Sequence, residues 1–450
     1  MKKIFTVFIL LLFSLSLWAQ EESLPEPAAW QEADDTDDAP PPKKRYVMKN
    51  RVFELSLLNI DINFSNSFLA ASYVVREPAD MIDSGKFFKD SVSVNLNDFF
   101  RGFAFIFGAK VEPLSLNFNW KDKWGFGLDI AHITVTGNLL LSGNLLSFNE
   151  VKKDKFGLGA AVFADVSVPV FFHYDELKIK IKPSVFLPLV YTEPNVTYSY
   201  SHVDNPDTGV SGMKLEAKYD VRVYSVVDMS GLENNDMGAI LQNLQDNAWD
   251  IAKNNLGYDI SLGAEYPLYD WLDIGVDIIN IPIVMANLNH YALLEGNAYF
   301  DASKINIDDL IDGNDLPPGV YGYEMGKPDF PSNGSKKVYR PFSMLFYAKC
   351  RPFESPVFSL IPSLGFSINP LYAEPGSVGG GLSARWDHAN IFITTIGVNY
   401  NDRRWKNSFD FALNLRAFEI DLGISFQSPD FVKSFQGAGL GVGVGLKFGW

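Results

Sequence analysis

Cys350 is the only cysteine in a chain of 450 residues, and five histidines (His132, His173, His202, His290 and His388) are scattered along it. A thiolate zinc or iron–sulfur centre needs several cysteines, and a multi-histidine metal site needs more imidazole than this, so neither chemistry has its ligands. No histidine sits in a recognisable nucleophile context of the kind that serves a serine hydrolase. The acidic stretch Asp308-Asp309-Leu310-Ile311-Asp312-Gly313-Asn314-Asp315 offers oxygen ligands, but it lacks the EF-hand spacing and closing glutamate and reads as a solvated loop. Gly376 to Ser383 is rich in glycine, yet no Lys-Ser/Thr pair follows it, and its flanks are strand-like, so it reads as a turn and not as a phosphate cradle. No cofactor, metal or catalytic residue is expected, and the chain reads as a non-enzyme. Lys plus Arg number 38 against 54 Asp plus Glu, a net charge of -16, which excludes a nucleic-acid partner held by bulk electrostatics.

The elements that carry these residues are strands. Leu58, Ile60, Ile62 and Phe64 alternate with Asn59, Asp61 and Asn63; Leu114, Leu116, Phe118 and Trp120 alternate with Ser115, Asn117 and Asn119. Side chains on a strand point to opposite faces, so each such segment has one apolar and one polar face. Seventeen segments of this kind run from 52–64 to 437–450, among them 111–120, 195–203, 213–227 and 288–300. Many are about ten residues long, the length a tilted strand needs to cross a hydrocarbon layer. No run of 18 apolar residues follows the N-terminal segment, which excludes a helical membrane protein. Aromatic content is high, at 14% with 36 Phe and 19 Tyr, beside 35 Gly. This composition suits strands that satisfy two different environments.

Residues 437–450 carry the sharpest pattern. Leu440, Val442, Val444, Leu446, Phe448 and Trp450 share one face, and Gly439, Gly441, Gly443, Gly445, Lys447 and Gly449 the other. The glycine face is expected to be smooth, letting a plug or water approach the backbone. This tail resembles the assembly signal of bacterial outer-membrane barrels, with Gly445, Phe448 and Trp450 in its glycine and aromatic positions. The resemblance implies recognition by the barrel-assembly machinery, followed by closure of the last strand on the first so that no backbone group stays unpaired in lipid. At the other end, Lys2 and Lys3 precede the apolar run Ile4 to Leu17, and cleavage is expected between Ala19 and Gln20, as in a secretory signal. Residues 1–19 are therefore expected to be a signal peptide, 20–50 an acidic, proline-containing periplasmic linker, and 51–450 the barrel.

The block Gly257-Tyr-Asp-Ile-Ser-Leu-Gly-Ala-Glu-Tyr-Pro-Leu-Tyr-Asp-Trp-Leu-Asp-Ile-Gly-Val-Asp277 forms two patterned strands joined by a tight turn. It resembles the long-chain fatty-acid transporter-like (FadL-like) barrels of spirochaetes and related bacteria. In that family an N-terminal plug carries an Asn-Pro-Ala element; here the Asn-Pro pairs are Asn205-Pro206 and Asn369-Pro370, far from the N-terminus.

The expected fold is all-β: a transmembrane antiparallel β-barrel of about 14 strands (12 to 16), with short helical insertions in the lumen or loops, lying in the lipid bilayer of the bacterial outer membrane. A barrel of this size encloses more room than its own side chains fill. Passage of a small hydrophobic solute through a passive channel is the expected function. Two elements are expected to occlude the lumen. One is an apolar insertion near Leu96–Phe107, with Phe99, Phe100 and Phe103; the other is an amphipathic helix near Met237–Leu256, with Ile240, Leu244 and Trp249. The other readings are a structural or adhesin-like surface protein with a shut lumen and a long outer loop at Asp301–Lys337, and an outer-membrane enzyme.

Overall fold

The computed structural model describes residues 52–67, 103–120, 123–141, 152–194, 196–204, 211–229, 237–304, 319–326, 329–330, 334–353, 357–372, 375–388, 391–415 and 417–449. In chain order, the first half holds β1 (Phe53–Asn66), β2 (Phe103–Trp120), β3 (Trp124–Leu141), β4 (Lys152–Ser167), β5 (Val170–Tyr174), β6 (Leu177–Pro194), β7 (Val196–Asp204), β8 (Ser211–Ser225) and helix α1 (Met237–Asn255). The second half holds β9 (Gly257–Tyr269), β10 (Leu272–Val284), β11 (Ala286–Leu288), β12 (His290–Asp301), β13 (Tyr321–Met325), β14 (Lys336–Val338), β15 (Phe342–Cys350) and β16 (Phe358–Ile368). It closes with β17 (Gly376–His388), β18 (Phe392–Asn401), β19 (Arg404–Asn414), β20 (Phe418–Ser428), the short helix α2 (Phe431–Phe435) and β21 (Gly439–Gly449).

Antiparallel pairing closes into a ring of 14 strands, running β1, β2, β3, β4 with β5, β6, β9, β10, then β15 to β21 in order and back to β1. β4 and β5 share one place in the ring, because Asp129↔Ser167 and Trp124↔Phe172 keep one register across the break at Pro169. Closure is complete: β1 pairs β21 from Glu54↔Gly449 to Ser65↔Gly439. The ring therefore has no free edge. All seventeen alternating segments are strands. The three that lie outside the ring, 195–203, 213–227 and 288–300, correspond to β7, β8 and β12. With β13 these form a sheet that, among the described residues, pairs with the wall where β4 meets β7 and where β6 meets β8.

Three wall strands carry a residue with positive φ, Leu58 (61°), Ala131 (58°) and Asn280 (56°), and at each the register against one neighbour slips by one. A one-residue bulge moves the following side chains to the opposite face. This explains how Leu55 and Leu57 before the bulge, and Ile60 and Ile62 after it, belong to one apolar face. The Phe-rich stretch expected as an insertion is partly wall. Phe103 is the first residue of β2, in register with Leu141, and pairing continues through Lys110; Phe99 and Phe100 lie outside the described residues. The alternation was hidden there because Ile106, 1% exposed, is buried on the face that elsewhere holds polar groups.

The outer surface is apolar: Leu364, Leu382, Ile396, Phe409, Leu422 and Val442 are all exposed. Aromatic contacts gather in two bands. At the end where β2–β3, β5–β6 and β9–β10 join by two or three residues, Phe53, Phe118 and Phe126 pack in series, as do Phe358 and Trp386, and Tyr269 stacks on Trp271. At the other, loop-bearing end, Tyr400, Trp405, Phe431 and Phe435 form a chain with centroids 5.0, 4.7 and 5.1 Å apart. On β20, Phe418 and Phe426 mark the two bands, eight residues or about 27 Å apart along the strand, roughly 20 Å along the axis at a tilt of about 40°.

Candidate functional site: the lumen

The inward faces carry paired polar groups. Asp129 of β3 accepts from Ser115 (2.8 Å) and Ser167 (2.8 Å) and pairs with Lys182 of β6 (2.9 Å). Towards the turn end, Lys178 meets Glu265 (2.5 Å), Tyr347 donates to Glu265 (3.2 Å), and Lys447 bridges Glu419 (2.7 Å) and Asp421 (3.0 Å). Nearer mid-height, Arg340, between β14 and β15, reaches inward. Its Nε and Nη2 donate to the two oxygens of Asp259 at 2.7 Å each, and its Nη1 lies 2.5 Å from Asp165 Oδ1. His132 Nδ1 shares that oxygen at 2.9 Å. A planar guanidinium with five fixed donors suits such bridging of two carboxylates.

Towards the loop end from Asp165, the lumen turns apolar. Phe163, Phe186, Tyr191, Tyr224, Ala286, Leu288, Val338 and Leu371 form one buried cluster, with Phe163 edge-on to Phe186 at 6.1 Å and Tyr224 stacked on Tyr291 at 5.4 Å. Each fully buried Phe contributes roughly 2–3 kcal/mol. Gly257 faces Phe186 closely enough that any Cβ would strike the ring, so this position on β9 requires glycine.

Leu371 enters the cluster from the far wall. It belongs to the connection between β16 and β17, and Asn369–Tyr372 runs as a strap across the lumen to β3, β4 and β6. Tyr191 donates to the Pro370 carbonyl (3.0 Å), and Asn138 Nδ2 donates to the Leu371 carbonyl (3.2 Å). Gly159 of β4 leaves room for that carbonyl; a Cβ there would overlap it and lie 2.9 Å from Asn138 Nδ2. The near end is fixed to the β18–β19 hairpin, whose turn residues Asp402 and Arg403 both have positive φ (47° and 65°). There Tyr372 donates to Asp402 (3.2 Å) and Arg403 lies over the Tyr372 ring at 5.3 Å. Burial, reinforced by the Asp402 charge, pushes the Tyr372 phenol well above its ordinary range, so it stays a donor.

The residues expected to occlude the lumen are distributed differently. α1 forms at Met237–Asn255, but it packs on the cluster through Ile251, while Trp249 is 80% exposed and does not fill the lumen. The side chains of Ile240, Leu244 and Phe103 lie outside the described residues. Gly445 and Phe448 sit on β21, Phe448 outward; Trp450, Ala19 and Gln20 are outside the described residues. The glycine face of β21 is partly covered and not smooth. Ser425 and Gln427 of β20 lean over Gly441, whereas Gly443 has only an Asp61 oxygen at 3.8 Å beside backbone. The strap and Arg340 were not singled out by sequence. Their signals were weak: an Asn369-Pro370 pair in a glycine-flanked connection, and one arginine between Tyr339 and Pro341.

No protein-family model matches the chain, and no curated protein matches it. Among solved structures it is similar to the toluene transporter TodX of P. putida, at 9% identity over 88% of this chain and 90% of that one, with a TM-score of 0.41. It is similar also to the toluene transporter TbuX of Ralstonia pickettii (8%, 89% and 90%, TM-score 0.40) and to a FadL homologue of Pseudomonas aeruginosa (11%, 89% and 90%, TM-score 0.37). What the chain does has to be read from its own lumen.

Proposed function

We propose that this protein is a passive channel of the bacterial outer membrane that passes small hydrophobic solutes, with the Asn369–Tyr372 strap as its closed gate. The observation that carries the reading is the buried aromatic and aliphatic cluster inside a ring whose lumen is otherwise lined by paired polar groups. Aromatic and aliphatic side chains gathered inside a ring otherwise lined by charge pairs offer an apolar solute leaving water a surface to meet. The apolar exterior between two aromatic bands suits a barrel seated in lipid, its last strand delivered by the assembly machinery. The test is uptake of the hydrophobic probe N-phenylnaphthylamine across an asymmetric bilayer with a lipopolysaccharide outer leaflet, which by itself resists such probes. Protein with the strap unseated by Gly159→Ala should speed uptake several-fold, and wild-type protein less; uptake by both equal to protein-free membranes sinks the proposal.

A second reading, a surface-interaction protein, draws on the sheet of β7, β8, β12 and β13. Its last strand exposes Tyr321 (64%) and Tyr323 (76%) and, among the described residues, pairs with β12 alone. Binding of host or matrix material by barrels that fail the uptake assay, lost in a Tyr321→Ala/Tyr323→Ala variant, would favour it.

A further inference from the structure

We infer that the polar groups just beneath the apolar cluster receive the head of an amphiphilic solute, and that this head is a hydrogen-bond donor, a hydroxyl or an ammonium, and not a carboxylate. The inference rests on the transport reading and names its substrate class.

Four adjacent wall strands place His132 (β3), Asp165 (β4), Ser184 (β6) and Asp259 (β9) on the inward face. His132 and Asp165 are register partners, as are Ser184 and Asp259. Arg340 is already engaged with both carboxylates of the site. Arg340 gives Nε and Nη2 to Asp259 and Nη1 to Asp165 Oδ1, and His132 Nδ1 meets the same Oδ1. Three buried atoms have no hydrogen-bond partner in the protein: Asp165 Oδ2, His132 Nε2 and Ser184 Oγ. The Asp165 side chain is 1% exposed and Ser184 is 4% exposed, so neither is satisfied by bulk water. The role of His132 Nε2 follows its tautomer, whereas the Asp165 carboxylate oxygen only accepts and the Ser184 hydroxyl both donates and accepts. Asp165 Oδ2 is thus a buried acceptor with no donor in the protein, on strands adjacent to the unpartnered Ser184 hydroxyl and His132 Nε2, and leaving it unmatched is costly.

Charge points the same way. Asp129, Asp165 and Asp259 face two fixed cations, Arg340 and Lys182, leaving the site with excess negative charge. A carboxylate head would bring a second anion and no donor to these acceptors; an alcohol brings a donor, and an ammonium brings donors and the missing charge. The tail has its place in line. Phe163 lies two residues along β4 on the same face as Asp165, and Phe186 is the register partner of Asp165, so apolar surface begins one side chain towards the loop end from the acceptors.

The experiment is calorimetric titration of the purified full-length barrel, in a neutral maltoside detergent, with decylamine, 1-decanol, decanoate and the headless ligand toluene. Decylamine and decanol should bind at least tenfold more tightly than decanoate. The Ser184 hydroxyl makes no hydrogen bond within the protein, so Ser184→Ala should leave folding and toluene binding unchanged while weakening decanol and decylamine five- to tenfold; His132→Phe should act in the same direction. Toluene binding accompanied by a preference for decanoate overturns the inference alone. So does a folded Ser184→Ala barrel with undiminished affinity for both donors, which would mean that resident water alone meets these atoms. If none of the four ligands binds, toluene included, the transport reading falls and takes this inference with it.

Discussion

Replacing Gly159 by alanine should open the lumen. The added Cβ would occupy space now held by the Leu371 carbonyl, so the strap has to leave its seat on β4. Unseating it gives up the Tyr191–Pro370 and Asn138–Leu371 hydrogen bonds, each about 1 kcal/mol. It also returns Leu371, now 3% exposed, to water at a cost of roughly 2 kcal/mol. The total of about 4 kcal/mol holds the wild-type strap seated by roughly a thousand to one, and that is the preference the added Cβ has to overcome. The near end stays held by Tyr372 and Asp402, so the strap should swing and not unravel. In planar bilayers, wild-type protein should be closed almost throughout, and Gly159→Ala should show frequent long openings; Leu371→Ala should shift the balance the same way by a smaller factor. A Gly159→Ala barrel that is folded, shows heat-modifiable gel migration and conducts no more than wild type would refute the assignment of the strap as gate.

Other substitutions probe separate parts of the same account. Arg340→Ala leaves Asp165 and Asp259 buried without their cation and should cost about 3–5 kcal/mol, seen as a lower midpoint of heat unfolding in detergent; an added Asp165→Asn/Asp259→Asn pair should recover much of it. Tyr372→Phe removes the donation to Asp402 and should raise opening frequency modestly, by about fivefold for one bond of about 1 kcal/mol. Because the folded phenol is raised above its unfolded value, near 10, its contribution to stability should be full below about pH 10 and erode above that, which an alkaline unfolding series would detect. Phe448→Ala, on the outer face of β21, should lower the yield of heat-modifiable barrel when assembly is followed in membranes, while refolding in detergent is less affected.

The barrel was legible in sequence because a wall between two environments imposes period two, and Leu114 to Trp120 or Leu440 to Phe448 show it without interruption. It faded where both faces are apolar, as at Phe103–Lys110, whose inward Ile106 lies in a buried part of the lumen. β7, β8 and β12 share the same alternation, so strand count alone could not separate wall from projection; pairing does. The lumen was less legible still. The apolar stripe of α1 points to occlusion, yet α1 contributes Ile251 and leaves Trp249 in the open. The strap acts through two backbone carbonyls, at Pro370 and Leu371, which no side-chain pattern records, and the Arg340 bridge joins residues 81 positions apart or more.

The most direct test of which face meets acyl chains is spin-label accessibility in lipid vesicles, on a Cys350→Ala background carrying one new cysteine at a time. Leu364→Cys, Leu422→Cys and Val442→Cys lie on the outer surface, and Ser383→Cys and Ser425→Cys on the inner face. Labels at the first three should collide readily with lipid-soluble oxygen and scarcely with a water-soluble nickel chelate, while the inner two should show no such oxygen preference. Nickel collisions dominating at Leu364, Leu422 and Val442 would place these side chains in water and contradict the membrane-barrel account.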